Sequence, residues 1–284
     1  MSTALVTDST AYLPAEVTGG LDIQVVPLHV VVGGQEYREG VDISPDEVAA
    51  ALRSFTPVST SRPAPAAFLQ AYEAAAERGA DAVVSVHLSS ELSSTVGGAE
   101  LAAEQAPVPV TVVDSRALGM AMGHAVLAGA RAASRGASAE QVADVVRRTS
   151  EAASVVFYVD TLEYLRRGGR IGRAGALLGS ALAIKPILGL RDGHIVPLER
   201  VRTSSRAIAR LEELAVEAAQ ASGGAGVDVA VHHLDSAERA ARLVERLTSR
   251  LPDASVSTVE LGAVVGAHVG PGTLAVAVVP RPGD

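Results

Sequence analysis

Short β-branched and aliphatic runs alternate along the chain with stretches in which alanine and leucine recur at helical spacing, which predicts α/β structure from end to end. Leu5-Val6-Thr7 reads as a buried strand that ends in Asp8-Ser9-Thr10. Ile23 to Val32 is an apolar run, and Gly33-Gly34 turns it into a short return strand, the pattern of a hairpin. Ser44-Pro45-Asp46-Glu47 has the form of a capping box with proline at the first helical position, opening a helix to about Arg53. Ser59 to Pro65 reads as an irregular hydroxyl-rich loop, followed by a helix from Ala66 to Arg78 that Gly79 stops. Ala82 to His87 and Val110 to Val113 are further strands, and helices follow from Leu118 to Arg135 and from the capping box at Ser138 to Gln141. This order implies a parallel sheet covered on both faces.

Val155 to Val159 opens a second series. Ile187 to Leu190 and Ile195 to Leu198 flank Asp192-Gly193, a hairpin signal, and the remainder alternates helix 204–221, strand 227–232, helix 237–250, strand 255–260 and strand 274–279. Gly262 to Gly272 reads as a glycine-rich turn carrying His268. The expected division is a first domain at 1–153 and a second at 154–284.

The 284 residues, 48% hydrophobic, suffice for two domains of ordinary size. A formal net charge of −8 argues against nucleic acid as a partner, so any basic site is local. The absence of cysteine removes thiolate metal sites, disulfides and a cysteine nucleophile from the inventory. The histidines lack metal-site spacing. The first residues lack the basic and apolar regions of a signal peptide, and the longest apolar stretch, Ala174 to Ile184, is too short to span a bilayer. The expectation is a cytoplasmic protein without stable membrane insertion.

Strands end in an acid and a hydroxyl at Asp8-Ser9, Asp114-Ser115, Asp160-Thr161 and Asp235-Ser236, either to meet a small polar ligand at strand C-termini or simply to cap helices. Thr60-Ser61 and Ser93-Ser94-Thr95 lie between expected strands and helices, where hydroxyls and unpaired backbone N–H groups suit a carboxylate or phosphate; a plain hydrophilic turn competes equally. Ser93 and His268 also admit a nucleophile and base pair, as in a serine-dependent acyl hydrolase or a phosphotransferase, although no orienting acid is identified. Arg166, Arg167, Arg170 and Arg173 recur near helical spacing, so several would share one face if helical, either a solvated basic face or a local field for an acidic partner or phosphate group. Just beyond them lies Lys185, the only lysine.

Taken together, Thr7-Asp8-Ser9, Thr60-Ser61-Arg62-Pro63, Ser89 to Thr95, Asp114-Ser115, Leu162 to Gly172, Ile184-Lys185-Pro186, Arg200 to Arg206 and Gly266 to Gly272 resemble, in order, the motifs of the DegV family of bacterial fatty-acid-binding proteins. The resemblance implies an N-terminal three-layer α/β/α domain with a parallel sheet and a C-terminal α/β domain with a mixed sheet, with one long-chain fatty acid between them. It implies no catalytic residue and no cofactor. The bound carboxylate would instead be presented to a separate ATP-dependent fatty acid kinase, giving acyl phosphate for phospholipid synthesis. Carried over by position, Thr60, Ser61, Ser93 and His268 would hold the carboxylate, with Ser94, Thr95, Asp8 and Ser9 as possible additions. Arg170, Arg173 and Arg202 would face the kinase, and Ala174 to Leu190 is a candidate tunnel wall or an ordinary core element. Two departures stand out: Ser94 where the family usually has glycine, and Arg62 where a small or amide residue is usual.

Overall fold

The computed structural model describes residues 2–14, 18, 20–177, 185–222 and 226–281. In chain order the first elements are β1 (Thr3–Asp8), β2 (Ile23–Val26), β3 (His29–Val32), β4 (Gln35–Arg38), α1 (Pro45–Arg53), β5 (Val58–Ser61), α2 (Pro65–Glu77), β6 (Ala82–His87), α3 (Thr95–Ala103), β7 (Val110–Asp114), α4 (Met120–Ser134) and α5 (Ala139–Ala152). They are followed by β8 (Ser154–Tyr158), α6 (Glu163–Arg167), β9 (Lys185–Arg191), β10 (His194–Val201), α7 (Ser204–Ala221), β11 (Val227–His233), α8 (Ala237–Arg250), β12 (Ser255–Glu260), α9 (Ala263–Val269) and β13 (Leu274–Pro280).

The chain forms two compact units, Met1–His29 with Ser61–Ala152 and Val30–Thr60 with Ala153–Asp284. Residues 30–60 thus group with the second half, a discontinuity that a single boundary at 153/154 does not describe. Pro27 is one physical reason. It has no N–H for a ladder bond, and the apolar run Ile23 to Val32, read above as one strand, is two: β2 pairs with β1, while β3 joins a separate sheet ordered β4-β3-β5.

In the first unit the sheet order is β2-β1-β6-β7, all pairs parallel. Phe68 and Tyr72 of α2 and Ala99 of α3 pack with Val6 and Val83 on one face. On the other, Gly129 lets α4 approach closely, since a Cβ there would lie 2.6 Å from Val146 Cγ2 and 3.3 Å from Leu5 Cδ2. This is the three-layer parallel arrangement expected.

The second unit holds the expected mixed sheet, ordered β10-β9-β8-β13-β11-β12 and antiparallel except at β11 and β12. Leu211 and Ala215 of α7 and Leu243 and Leu247 of α8 cover it, packed on Val229, Val231 and Val276. The capping box of α1 forms as predicted: Ser44 Oγ accepts from Glu47 N at 3.3 Å, and Glu47 Oε2 accepts from Ser44 N at 2.8 Å. Three local expectations change. Residues 58–61 are a strand rather than part of an irregular loop, residues 263–269 are a short helix rather than a turn, and the helix after Asp160 ends at Arg167.

Candidate functional site

Thr60 sits near the end of β5 and His268 in the last turn of α9, and both belong to the second unit. Oγ1 of Thr60 lies 2.8 Å from Nε2 of His268. Glu39 fixes the geometry by accepting from Val264 N at 2.8 Å, which places a buried carboxylate on an otherwise unpaired N–H in the first turn of α9. On its other side the imidazole lies against Gly168, where a Cβ would come 2.0 Å from Nδ1. Any larger residue at 168 displaces the ring.

Nδ1 is buried and has no hydrogen-bond partner among the described residues. Burial, and then the positive charge of Arg170, push the imidazole down to about 4, so the ring is neutral at pH 7. A buried N–H without an acceptor is the costlier defect, so the proton belongs on Nε2. Nε2–H then donates to Thr60, which leaves the threonine hydroxyl hydrogen free to point at an anion. The pair faces a cavity of about 670 Å³ whose walls include Val31, Leu52, Phe55, Tyr164 and Arg170. That volume lies in the range of small-molecule pockets.

Ser61, Ser93, Ser94, Thr95, Asp8 and Ser9 belong to the first unit. Ser93 Oγ and Thr95 Oγ1 are 2.8 Å apart at the start of α3; Ser94 is exposed, and its carbonyl accepts from Arg62 Nη1 at 3.4 Å. Asp8 is fully buried and accepts from Thr10 N (3.0 Å), Thr10 Oγ1 (2.6 Å) and Leu88 N (3.0 Å), with His87 Nδ1 at 3.1 Å. Ser9 Oγ accepts from Leu28 N at 3.0 Å. Both side chains are thus engaged in tying strand ends together. The chain Asp8, His87, Ser85 and Tyr72 resembles a catalytic relay in composition, but every member is buried. Desolvation pushes the Tyr72 hydroxyl up to about 12.

The four arginines do not lie along one helix, since α6 ends at Arg167, although Arg167 and Arg170 both line the cavity. Arg166 and Arg167 on α6 both bind Glu163, at 2.7 Å each, which pulls that carboxyl down to about 2. Arg170 lies beyond the Gly168-Gly169 turn, donates to Gly168 O and lines the cavity. Arg173 and Arg202 are exposed. Lys185 Nζ donates to Asp160 O at 2.9 Å, so the lone lysine caps the segment that leads into the arginines. Of the candidate tunnel wall, Ala174 is buried, 178–184 lie outside the described residues, and Ile187 and Leu188 are core residues of β9.

Sequence patterns alone did not explain why these segments carry glycine. The stretches 160–172 and 266–272 interlock: besides Gly168 under His268, Gly270 takes φ 78 where a Cβ would lie 2.1 Å from the Tyr164 ring. The paired glycine runs were visible; their mutual contact was not. No group of three or more metal-binding side chains occurs among the described residues, and no helix there is long and apolar enough to cross a membrane.

The profile of the family described as "Uncharacterised protein, DegV family" matches residues 2–281. A DegV domain-containing protein of Streptomyces coelicolor is 52% identical over 279 residues, 98% of each chain. A solved DegV family protein from Thermus thermophilus, described as fatty acid binding, superposes with a TM-score of 0.92 at 37% identity, covering 99% of this chain and 100% of that one. DegV from Bacillus subtilis, described as a fatty acid binding protein, does so with a TM-score of 0.90 at 33% identity, covering 99% and 100%.

Proposed function

Since the chain belongs to the DegV family, we propose that it binds a long-chain fatty acid and presents the carboxylate to a separate ATP-dependent fatty acid kinase, itself performing no catalysis. The observation that carries this reading is the Thr60 hydroxyl, oriented by a neutral His268 at 2.8 Å on the wall of a cavity that Arg170 also lines. A neutral imidazole passing its hydrogen bond through a hydroxyl suits an acceptor-only anion. Ser61 and Ser93 are assigned to the same carboxylate on the strength of the family resemblance.

Tail burial contributes roughly 0.8 kcal/mol per methylene, so about a dozen methylenes give roughly 10 kcal/mol before the costs of association. Each hydrogen bond to the charged head adds about 1.5–3 kcal/mol. The tail therefore sets affinity and the head cluster sets orientation. In the coupled reaction a carboxylate oxygen attacks the γ-phosphorus of ATP held by the kinase, giving acyl phosphate and ADP, the activated acyl group entering phospholipid synthesis. Arg173 and Arg202, exposed and cationic on an acidic chain, are assigned to kinase docking, and the setting is cytoplasmic.

Denaturing extraction followed by mass spectrometry tests the central claim. A near-stoichiometric long-chain fatty acid is expected from the purified protein, and a protein that neither retains nor takes up fatty acid would refute it.

A further inference from the structure

Phe55 has φ 57, in the left-handed region, and is 83% exposed, the most exposed large hydrophobic side chain among the described residues. It follows α1 in a Schellman-type termination: Phe55 N donates to Leu52 O at 3.2 Å and Thr56 N to Ala51 O at 2.9 Å. Glycine normally fills this position, because a Cβ in the left-handed conformation crowds the following carbonyl. A bulky residue there is a strained choice.

Two costs fall on one residue, a strained backbone and a solvated aromatic ring. Neither serves the fold, since glycine would end α1 with less strain. Strain retained at such a position points to a role outside the chain's own packing. The location narrows that role, because Phe55 lines the same cavity as Thr60 and His268, and Arg167 and Arg170 line it too. Arg167, which also pairs with Glu163, and Arg170 are the guanidinium groups of the lining, and no carboxylate stands among the described lining residues, so the cavity wall is cationic on a chain of net charge −8.

We propose that Phe55 is an anchor for a protein partner, inserting into an apolar socket rimmed by carboxylates that complement Arg167 and Arg170. Resting on the reading given above, that partner is the kinase that receives the lipid-bound carboxylate. Aromatic anchors at the centre of charge-complementary surfaces carry a disproportionate share of binding energy, and the cations around them steer the encounter. The placement joins docking to delivery, because the anchoring ring and the head-group hydroxyl share one cavity.

The test uses full-length, lipid-loaded protein with a purified fatty acid kinase catalytic subunit and ATP, following acyl phosphate formation against the concentration of the lipid-loaded protein. Phe55→Gly relieves the backbone strain and deletes the ring; Phe55→Tyr keeps the ring. Phe55→Gly is expected to melt about 2–4 °C higher, and because Phe55 lines the cavity its rates are compared at equal concentrations of lipid-loaded protein, with the bound fatty acid quantified for each variant. Its KM for lipid-loaded protein should rise about tenfold or more with kcat little changed, and Phe55→Tyr should behave as wild type. An unchanged KM in Phe55→Gly overturns the proposal, as does a lower melting temperature with lost lipid, which would make the ring part of the fold. A defect confined to binding vesicles containing phosphatidylglycerol would assign the ring to a membrane surface and also overturn it. Wild-type protein whose bound fatty acid is never converted to acyl phosphate would remove the kinase reading and this proposal together, leaving lipid binding intact.

Discussion

His268 and Thr60, 208 residues apart in sequence, meet at 2.8 Å through Nε2 and Oγ1, and the imidazole stays neutral because its burial and the charge of Arg170 both oppose protonation. The consequence for stability has a definite sign. The unfolded chain takes up the proton near pH 6.5, whereas the folded chain resists it down to about 4. Stability from this group is complete above pH 6.5 and declines as pH falls towards 4, by about 3 kcal/mol in all. Urea midpoints of lipid-free protein across that interval should fall more steeply for wild type than for His268→Gln. Parallel curves would show that His268 titrates normally.

Gly168→Ala should act through the same ring. The added methyl would stand 2.0 Å from Nδ1, far inside contact distance. The imidazole must swing away from Thr60, at an overpacking cost of about 1–3 kcal/mol. Reduced retention of fatty acid together with a lower melting temperature is the expected result, and since Gly168 has φ −73, where alanine adds no left-handed strain, the loss reports the contact with the ring. Unchanged retention and melting temperature would discount the contact with His268.

Asp8→Ala should unfold the first unit more readily than any loss at an exposed carboxylate. Its carboxylate is a buried junction for Thr10, His87 and Leu88, and removal leaves those polar groups without it, at about 3–5 kcal/mol. Leu88 directly precedes Ser89, whose carbonyl accepts from Ser93 N at 3.1 Å, so the serine loop should loosen as well. Hydrogen exchange at Ser93 and Thr95 should rise in Asp8→Ala, and unaltered protection there would confine Asp8 to the core.

Much of the fold was legible because alternating strands and helices leave strong periodic signals; β6, α7, α8 and β12 match their expected bounds. The failures share a cause, tertiary contacts that override local composition. Gly266 lowers helix propensity inside the segment, and Gly262 and Gly270 stand at its two caps, yet α9 forms because Glu39 caps Val264 N and Leu234 packs where Gly266 leaves room, at 3.1 Å from the Cβ position. Nothing in the spacing of residues 60 and 268 joins them; their pairing came from the family resemblance. Arg166, Arg167, Arg170 and Arg173 were grouped by helical spacing, but the helix ends at Arg167, and of the four only Arg167 and Arg170 line the cavity.

That separation yields a further prediction, because Arg170 and Arg202 were assigned alike and stand in different places. Arg170 lines the cavity and its charge lowers the affinity of His268 for a proton. Arg202 is exposed just ahead of α7. Arg170→Leu should therefore raise the titration midpoint of His268 towards its ordinary value, read as the pH dependence of its ring resonances in NMR, and should weaken head-group retention. Arg202→Ala should leave that midpoint and the bound fatty acid unchanged while impairing kinase-coupled phosphorylation. A shifted midpoint in Arg202→Ala, or an unshifted one in Arg170→Leu, would reverse the division of labour, since the field of a cation at the imidazole falls with distance and screening regardless of what either arginine does for a partner.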